Sequence, residues 1–225
     1  MESAETSPAI AIIGIGCWYP DAPNPLRLWE NVLARRRQFR RIPPQRLPLA
    51  DYHHPDPKVM DTTYGQRAAV IDGFEFDWAG RRIPLSTYRS TDVAHWLALE
   101  TSLSAISDAG YRQQDLPAEK AGVIVGNTLT GEQTRTTSQR LRWPYVRRVV
   151  AAAAERQQIP PGETAALIRE MEAGYKAAFA PINEDSLAGG LSNTIAGRIC
   201  NYLDLYGGGY TVDGACSSSL LAVAT

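Results

Sequence analysis

The sequence predicts an α/β fold in which a mainly parallel sheet carries helices on both of its faces. Two apolar runs, residues 9–16 and 121–128, each contain the glycine that commonly ends a strand buried on both faces. Long stretches between and after these runs place apolar residues at the three- and four-residue steps of helices. Strands that alternate with helices are typical of parallel sheets, because each parallel crossover needs a long connection, usually a helix.

The first elements follow from the opening residues. We expect residues 1–8 to be a disordered leader and residues 9–16 to be the first strand. A helix should begin at Pro25, because proline is tolerated in the first turn of a helix. One face of this helix carries three large apolar side chains, Leu26, Trp29 and Leu33. That face is the one we expect to be buried.

Residues 38–86 are rich in proline, aspartate and aromatic residues and show little periodicity. They predict a long structured excursion with short strands around residues 68–71. A clear helix follows it, with apolar side chains in one stripe: Trp96, Leu99, Leu103 and Ile106. Asp92 at its start and Gly110 after its end are typical start and stop signals.

The second half of the chain continues the alternation. After the strand at residues 121–128, helices are predicted over residues 132–154 and 162–178, separated by two prolines. A further helix carries a stripe at four-residue steps: Leu191, Ile195, Ile199 and Leu203. Glycines at 207–209 interrupt it. A short strand, YTVD, and the start of another helix, ACSSSLLAVA, complete the chain.

Composition excludes several classes of protein. The chain has 225 residues, of which 44% are apolar and 21% charged, as in soluble globular domains. A net charge of -1 gives no basic field that would attract nucleic acid, and its arginine pairs are interpreted as solvated helix faces. The acidic N-terminus resembles no signal peptide, and no apolar run approaches the ~20 residues that span a bilayer. We therefore predict a cytoplasmic protein with neither nucleic acid nor membrane as partner.

Two motifs resemble binding sites but are not interpreted as such. DYHHPDP, residues 51–57, brings together Asp51, His53, His54 and Asp56, yet adjacent side chains rarely converge on one ion, and we interpret it as a surface loop. GIGCWY departs from the dinucleotide fingerprint, because Tyr19 stands in the place of the third glycine. The cysteines, Cys17, Cys200 and Cys216, are widely spaced and form no CxxC pair, which argues against a disulfide framework and a zinc site. No metal and no directly bound cofactor are expected.

Cys216 stands where a predicted strand meets a predicted helix. A thiolate is a nucleophile, and unpaired N–H groups at a helix start favour the thiolate and can hold an oxyanion. Gly214 and Ala215 leave room for a substrate carbonyl. The competing interpretation is an inert, buried cysteine, with Asp213 and the serines 217–219 acting only as capping side chains.

Several stretches resemble the β-ketoacyl synthases, especially the ketosynthase domains of polyketide synthases. TVDGACSSSLLA is similar to their active-site signature, usually TVDTACSSSLVA. Upstream, AIAIIGIGCWYPDAPNPLRLWENV, LALETSLSAISDAG, AGVIVGNT and SNTIAGRICNYLDLYGG resemble further stretches of the family in the same order. The resemblance covers residues 9–225.

This resemblance implies a thiolase-like fold, of which residues 9–225 would be the N-terminal half, ending just after the nucleophile. Cys216 would take an acyl group from the phosphopantetheine thioester of acyl carrier protein, with its own backbone N–H as an oxyanion donor. Condensation with a malonyl unit would follow by decarboxylation, in polyketide or fatty acid biosynthesis. The complete domain would be a homodimer.

The family also uses two histidines and a lysine that lie well downstream of the cysteine. The histidines of this chain are His53, His54 and His95, all upstream. We therefore expect a fragment that is catalytically incomplete by itself, with part of its apolar core exposed. Two alternatives stay open: a half-domain that only dimerises or docks, and an unrelated cysteine hydrolase that would need a histidine base beside Cys216.

Some positions depart from the family pattern. Gly214 replaces a threonine, and Gly208 and Gly209 replace Pro-Ser. The usual Asp-Pro-Gln-Gln-Arg becomes DVAHW, which keeps the aspartate, Asp92, and introduces His95. These departures favour an outlying iterative type, such as the enediyne or polyunsaturated-lipid synthases, while the presence of Cys216 favours a condensing enzyme.

Overall fold

The computed structural model describes residues 10–128 and 131–225. The predicted leader, residues 1–8, lies outside the described residues. The elements in chain order are α1 (Pro25–Leu33), β1 (Arg40–Arg41), α2 (Leu49–Tyr52), β2 (Arg67–Ala68), α3 (Leu85–Arg89), α4 (Val93–Asp108), β3 (Val123–Gly126), α5 (Glu132–Leu141), α6 (Trp143–Arg156), α7 (Pro161–Ala177), α8 (Asp185–Gly190), α9 (Asn193–Leu203), β4 (Gly209–Val212) and α10 (Ser218–Ala224). Short 3₁₀ turns lie at Gln113–Asp115 and Ala215–Ser217.

The chain divides into two compact units. The first contains the described residues up to Phe76 together with Glu100–Leu116, and the second contains Asp77–Leu99 and Pro117–Thr225. Helix α4 therefore contributes its first half to the second unit and its second half to the first. The single domain predicted from residue 9 onwards stays a prediction.

In the first unit, the strand predicted at residues 9–16 is wrong for the part that the structure describes. Residues 10–16 lie against the second half of α4, so closely that a Cβ on Gly14 would stand 2.2 Å from the carbonyl oxygen of Ala105. The N–H of Ile15 donates to Asp108 Oδ2 at 2.9 Å, a side-chain acceptor instead of a neighbouring strand. An apolar run becomes a strand only where another strand offers its backbone, and among the described residues none pairs with this segment.

Helix α1 begins as predicted. The side chain of Asn24 caps it by accepting from the N–H of Arg27 at 2.9 Å, and Pro25 occupies the first turn. The expected buried face is wrong, however, because Leu26, Trp29 and Leu33 are all exposed. The buried residue is Asn31, whose amide donates to the carbonyl of Asp21. Amphipathic spacing predicts a helix, but burial also needs a surface to pack against.

The excursion that follows α1 is structured, as predicted. Strands β1 and β2 pair antiparallel with Arg40 opposite Ala68 and Arg41 opposite Arg67. The strand predicted at residues 68–71 therefore exists but begins one residue earlier and ends at Ala68.

The second unit is built on a parallel pair of strands with a helix on each face. Strands β3 and β4 pair from Val123 opposite Gly209 to Gly126 opposite Val212. A Cβ on Gly209 would point at the Cys200 sulfur on α9, whereas a Cβ on Gly126 would point at the Ser218 carbonyl on α10. Because side chains alternate along a strand, and Gly126 is three residues after the partner of Gly209, the two helices lie on opposite faces. The predicted parallel sheet with helices on both faces is thus confirmed at this pair.

Helix α9 presents the predicted apolar stripe. Ile195, Ile199 and Leu203 are buried against the parallel pair, whereas Leu191 precedes the helix. Helix α4 is confirmed as well: Asp92 Oδ1 accepts the N–H of Ala94 at 3.0 Å, as an N-terminal cap does.

The helix predicted over residues 132–154 is wrong as a single element. Helix α5 ends at Leu141 and α6 begins at Trp143, with Pro144 in its first turn. Proline lacks the N–H that a continuous helix needs and its ring clashes with the preceding turn, so the chain starts a new helix there. Helix α7 is confirmed but begins at the second of the two prolines, Pro161, one residue earlier than predicted, and α8 is an element that periodicity did not indicate. Within the described residues, no helix is long and apolar enough to span a bilayer.

Candidate active site

Cys216 lies in the 3₁₀ turn Ala215–Ser217, between the end of β4 and the start of α10. Its side chain is exposed to solvent. The strand, turn and helix follow one another as the sequence predicts, so the sulfur is neither packed away nor remote from a helix start. We call residues 213–218 the cysteine turn.

The backbone of the cysteine turn adopts an uncommon conformation. Ala215 has φ of 51°, in the left-handed region that disfavours residues with a Cβ. Its N–H donates to Asp213 Oδ1 at 2.9 Å. Asp213 therefore satisfies a nearby backbone donor, which is the structural role considered for it from the sequence.

Two serines of the turn bond its backbone. Ser218 is buried, and its Oγ accepts the N–H of Gly214 at 3.0 Å and donates to the carbonyl of Ala215 at 2.7 Å. The exposed Ser217 donates its hydroxyl to the carbonyl of Gly214 at 2.7 Å. Both side chains bond backbone groups of the turn, but neither is seen to cap α10, whose N-cap residue Ser217 makes no side-chain cap hydrogen bond.

The carboxyl end of β3 contributes residues that sequence reasoning missed. Thr128 Oγ1 lies 3.2 Å from the carbonyl oxygen of Ala215 and 3.1 Å from Ser218 Oγ. Asn127 donates to Ser192 Oγ at 2.7 Å, and Thr211 of β4 donates to the carbonyl of Ser192 at 2.9 Å. Their position after a predicted strand could have revealed them, because side chains that follow adjacent parallel strands gather at one edge of the sheet.

The polar groups of Cys216 differ from those of its neighbours in their hydrogen bonding. The N–H groups of Gly214, Ala215 and Ser217 are all hydrogen-bonded. The N–H and the sulfur of Cys216 have no such partner within residues 10–128 and 131–225. A thiol and a backbone N–H on the same residue are therefore both without a hydrogen-bond partner in the described part of the chain, which is the arrangement that an acyl-accepting cysteine requires.

The histidine of the second unit, His95, is buried and bonds Arg198. Its ring is 2% exposed and its Nδ1 accepts from Arg198 Nε at 3.3 Å. Burial and the Arg198 guanidinium lower the pKa of His95 to about 4, against a partial opposing effect of Asp92. No hydrogen bond in the described part of the chain joins His95 to Cys216, so the hydrolase interpretation gains no support.

The loop with His53 and His54 lies in the first unit. His53 Nε2 contacts the side chain of Gln66 at 2.8 Å, and His54 Nδ1 accepts the N–H of Asp56 at 3.1 Å. Nowhere in the described ranges do three or more His, Cys, Asp or Glu side chains gather as metal ligands do.

Comparison with known proteins identifies the family. The model of the β-ketoacyl synthase N-terminal domain matches residues 7–225. The chain belongs to the β-ketoacyl synthase family. The match includes the cysteine turn and both strands that position it.

Related proteins in this family include polyketide synthases. The chain is 30% identical, over 95% of its length, to the polyketide synthase component of lovastatin nonaketide synthase from Aspergillus terreus, and 30% identical over 98% to polyketide synthase ThaG from Burkholderia thailandensis. It is also 27% identical over 98% to a polyunsaturated fatty acid synthase component from Thraustochytrium sp.. The chain spans 6%, 3% and 8% of the lengths of these relatives.

Solved ketosynthase domains share its fold. The oxazolomycin ketosynthase domain OzmH KS7 of Streptomyces albus JA3453 matches 94% of this chain with a TM-score of 0.70 at 21% identity, and the chain covers 30% of that domain structure. The module 6 ketosynthase of the bacillaene synthase from Bacillus subtilis 168 matches 95% with a TM-score of 0.59 at 23% identity, with 28% of that structure covered. The thiolase-like fold expected from the sequence is confirmed, and this chain corresponds to its N-terminal part.

Proposed function

We propose that this ketosynthase chain supplies the acyl-accepting nucleophile, Cys216, for carbon–carbon bond formation in polyketide or fatty acid biosynthesis. The observation that carries the proposal is the exposed sulfur beside its own unpaired N–H, on a turn whose neighbouring amides are hydrogen-bonded. Family membership supports the same residue, because Cys216 lies within residues 7–225, which match the family model, and in the stretch that resembles the family's active-site signature.

In the proposed reaction, the Cys216 thiolate attacks the carbonyl carbon of an acyl thioester on the phosphopantetheine arm of a carrier protein. The carbonyl π electrons move to oxygen, and the Cys216 N–H stabilises that oxyanion. When the carbonyl re-forms, the carrier thiolate leaves and takes up a proton. The acyl group is then held by Cys216 as a thioester, so no cofactor is required at this step.

Condensation completes the cycle. A malonyl unit on the carrier loses CO₂, and the resulting carbanion attacks the acyl–Cys216 carbonyl, which forms the carbon–carbon bond and releases the thiolate. In the family, two histidines and a lysine assist this step. Acyl transfer to Cys216 is the step that the contacts of the described residues support, and it is the step assigned to this chain.

The proposed partners are acyl carrier protein and a second ketosynthase chain. Apolar side chains on α10 favour an interaction role, since Leu220 and Val223 are both exposed. A half-domain that only docks or dimerises would expose the same side chains, so the two candidates differ in whether Cys216 is acylated. Localisation in the cytoplasm stays a prediction.

The deciding experiment incubates the full-length protein with an acyl-pantetheine thioester and maps the modified residue by mass spectrometry. We expect acyl transfer to Cys216 and none in Cys216→Ala. Cys200→Ala is the matched control, because Cys200 is a half-buried cysteine of the same unit whose sulfur donates to the carbonyl oxygen of Gly208 at 3.6 Å. Labelling that persists in Cys216→Ala, or no labelling of the unaltered protein, would refute the acyl-transfer assignment.

A further inference from the structure

We infer that Ser218, together with Thr128, is a positioning residue for the nucleophile: the two hydroxyls hold the cysteine turn in the conformation that presents Cys216 and its N–H to a thioester. This inference rests on the proposed function of Cys216. Ser218 and Thr128 would act through the backbone of the turn and not through contact with the acyl group.

The turn needs such support because its backbone includes a conformation that is unfavourable by itself. The left-handed conformation of Ala215 is one that a residue with a Cβ seldom adopts without help from its surroundings. The side chain of Ala215 is exposed, so packing of its methyl group does not hold it there. The restraint must come from the hydrogen bonds of its peptide groups.

Ser218 bonds the turn on both sides of Ala215. Its Oγ accepts the N–H of Gly214 and donates to the carbonyl of Ala215, at 3.0 and 2.7 Å. With 6% of its surface exposed, the side chain has little access to water that could replace these bonds. This buried hydroxyl therefore restrains the 213–214 and 215–216 peptide groups, while Asp213 and Ser217 bond the 214–215 peptide group between them.

Thr128 connects the turn to the sheet. Its hydroxyl lies within hydrogen-bond distance of both the Ala215 carbonyl and Ser218 Oγ, 87 and 90 residues away in sequence. It follows the end of β3, whose register with β4 is set by the ladder from Val123 to Gly126. The Thr128 hydroxyl therefore holds the turn in position relative to the strand pair β3 and β4, and not only relative to α10.

The network leaves the Cys216 sulfur and N–H unbonded while it fixes the peptide units before them. Thioester acylation requires both groups in one geometry, since the sulfur attacks the carbon whose oxygen the N–H stabilises. Alkylation by iodoacetamide requires an accessible thiolate and no oxyanion donor. The ratio of the two rates therefore reports positioning separately from exposure of the sulfur.

The test compares both rates in the full-length protein. We expect Ser218→Ala to lower the rate constant of acylation by an acyl-pantetheine thioester at least 10-fold, with the iodoacetamide rate changed less than 3-fold. Ser219→Ala is the matched control, because Ser219 is the adjacent exposed serine outside the network, and both of its rates should equal those of the unaltered protein. Equal acylation of Ser218→Ala and Ser219→Ala would overturn the inference.

Thr128 provides a second, nearly isosteric test. Thr128→Val removes the hydroxyl and keeps the shape, whereas Thr128→Ser keeps the hydroxyl, so Val should slow acylation several-fold and Ser should preserve it. A parallel fall of acylation and alkylation in Ser218→Ala, with unchanged acylation in Thr128→Val, would show a purely structural role and overturn the inference. If the unaltered protein accepts no acyl group although iodoacetamide modifies Cys216, the proposed function itself is wrong, which is distinct from either variant result.

Discussion

Replacement of Gly126 by alanine should force β3 and α10 apart at the cysteine turn. The Cβ of an alanine at this position would stand 2.5 Å from the carbonyl oxygen and 2.6 Å from the carbonyl carbon of Ser218. Ordinary contacts between such atoms begin near 3.4 Å, so one element must shift by about 1 Å. The atoms that would be displaced are backbone, and no side-chain rotation can relieve the clash.

Overpacking of this kind costs about 1–3 kcal/mol in the free energy of unfolding, and the rigidity of both partners favours the upper part of that range. For a protein of this size, each kcal/mol corresponds to about 2–4 °C in Tm. We therefore expect Gly126→Ala to lower Tm by roughly 4–12 °C. The shift of α10 also moves Ser218, so acylation of Cys216 should fall more than alkylation by iodoacetamide.

Gly174→Ala is the matched control. Gly174 lies inside α7, and a Cβ there would meet nothing within 4 Å. Because alanine is the better helix former, this variant should gain about 0.5–1 kcal/mol in the free energy of unfolding. Scanning calorimetry and urea titration of both variants measure the two changes in the free energy of unfolding, which should have opposite signs. The packing argument fails if Gly126→Ala is as stable as Gly174→Ala.

Three further predictions concern the second unit. Ile199→Ala, at a 1% exposed position, should lower the free energy of unfolding by about 2–4 kcal/mol, whereas Leu220→Ala, at a 75% exposed position, should change it by less than about 0.5 kcal/mol in urea titration. The folded-state pKa of His95, about 4, lies below its ordinary value of 6.5, so stability is fully present above pH 6.5 and falls as pH drops towards 4. Because His95 is buried, the full loss should be on the order of 3 kcal/mol and should shrink in His95→Gln, and equal pH slopes for both proteins would contradict it. Ala215→Val should destabilise by about 1–2 kcal/mol because a β-branched side chain resists the left-handed region, with Ala215→Gly near neutral as the contrast in Tm.

Local sequence patterns correctly predicted the helices whose apolar stripe or start signal lies within a short stretch of the chain. The stripe from Ile195 to Leu203 produced α9 as expected, and Asp92 marked the start of α4. The same method failed at residues 10–16 and at the exposed face of α1, because each outcome depended on whether another part of the chain offered a strand edge or an apolar surface. It also overlooked the break before Trp143, where one proline outweighs the surrounding helix propensity.

The sequence by itself identified the family and the candidate nucleophile. Cys216 and the small residues around it are contiguous in the chain, so the motif is recognised without any knowledge of the tertiary structure. Only the tertiary structure decided what supports that motif: the left-handed Ala215, the buried Ser218 hydroxyl and Thr128 at the end of β3. Thr128 and Ser218 are 90 residues apart, and they meet because β3 and β4 pair in parallel and end at the same edge. Such proximity results from strand register and helix packing, which a local periodicity does not specify.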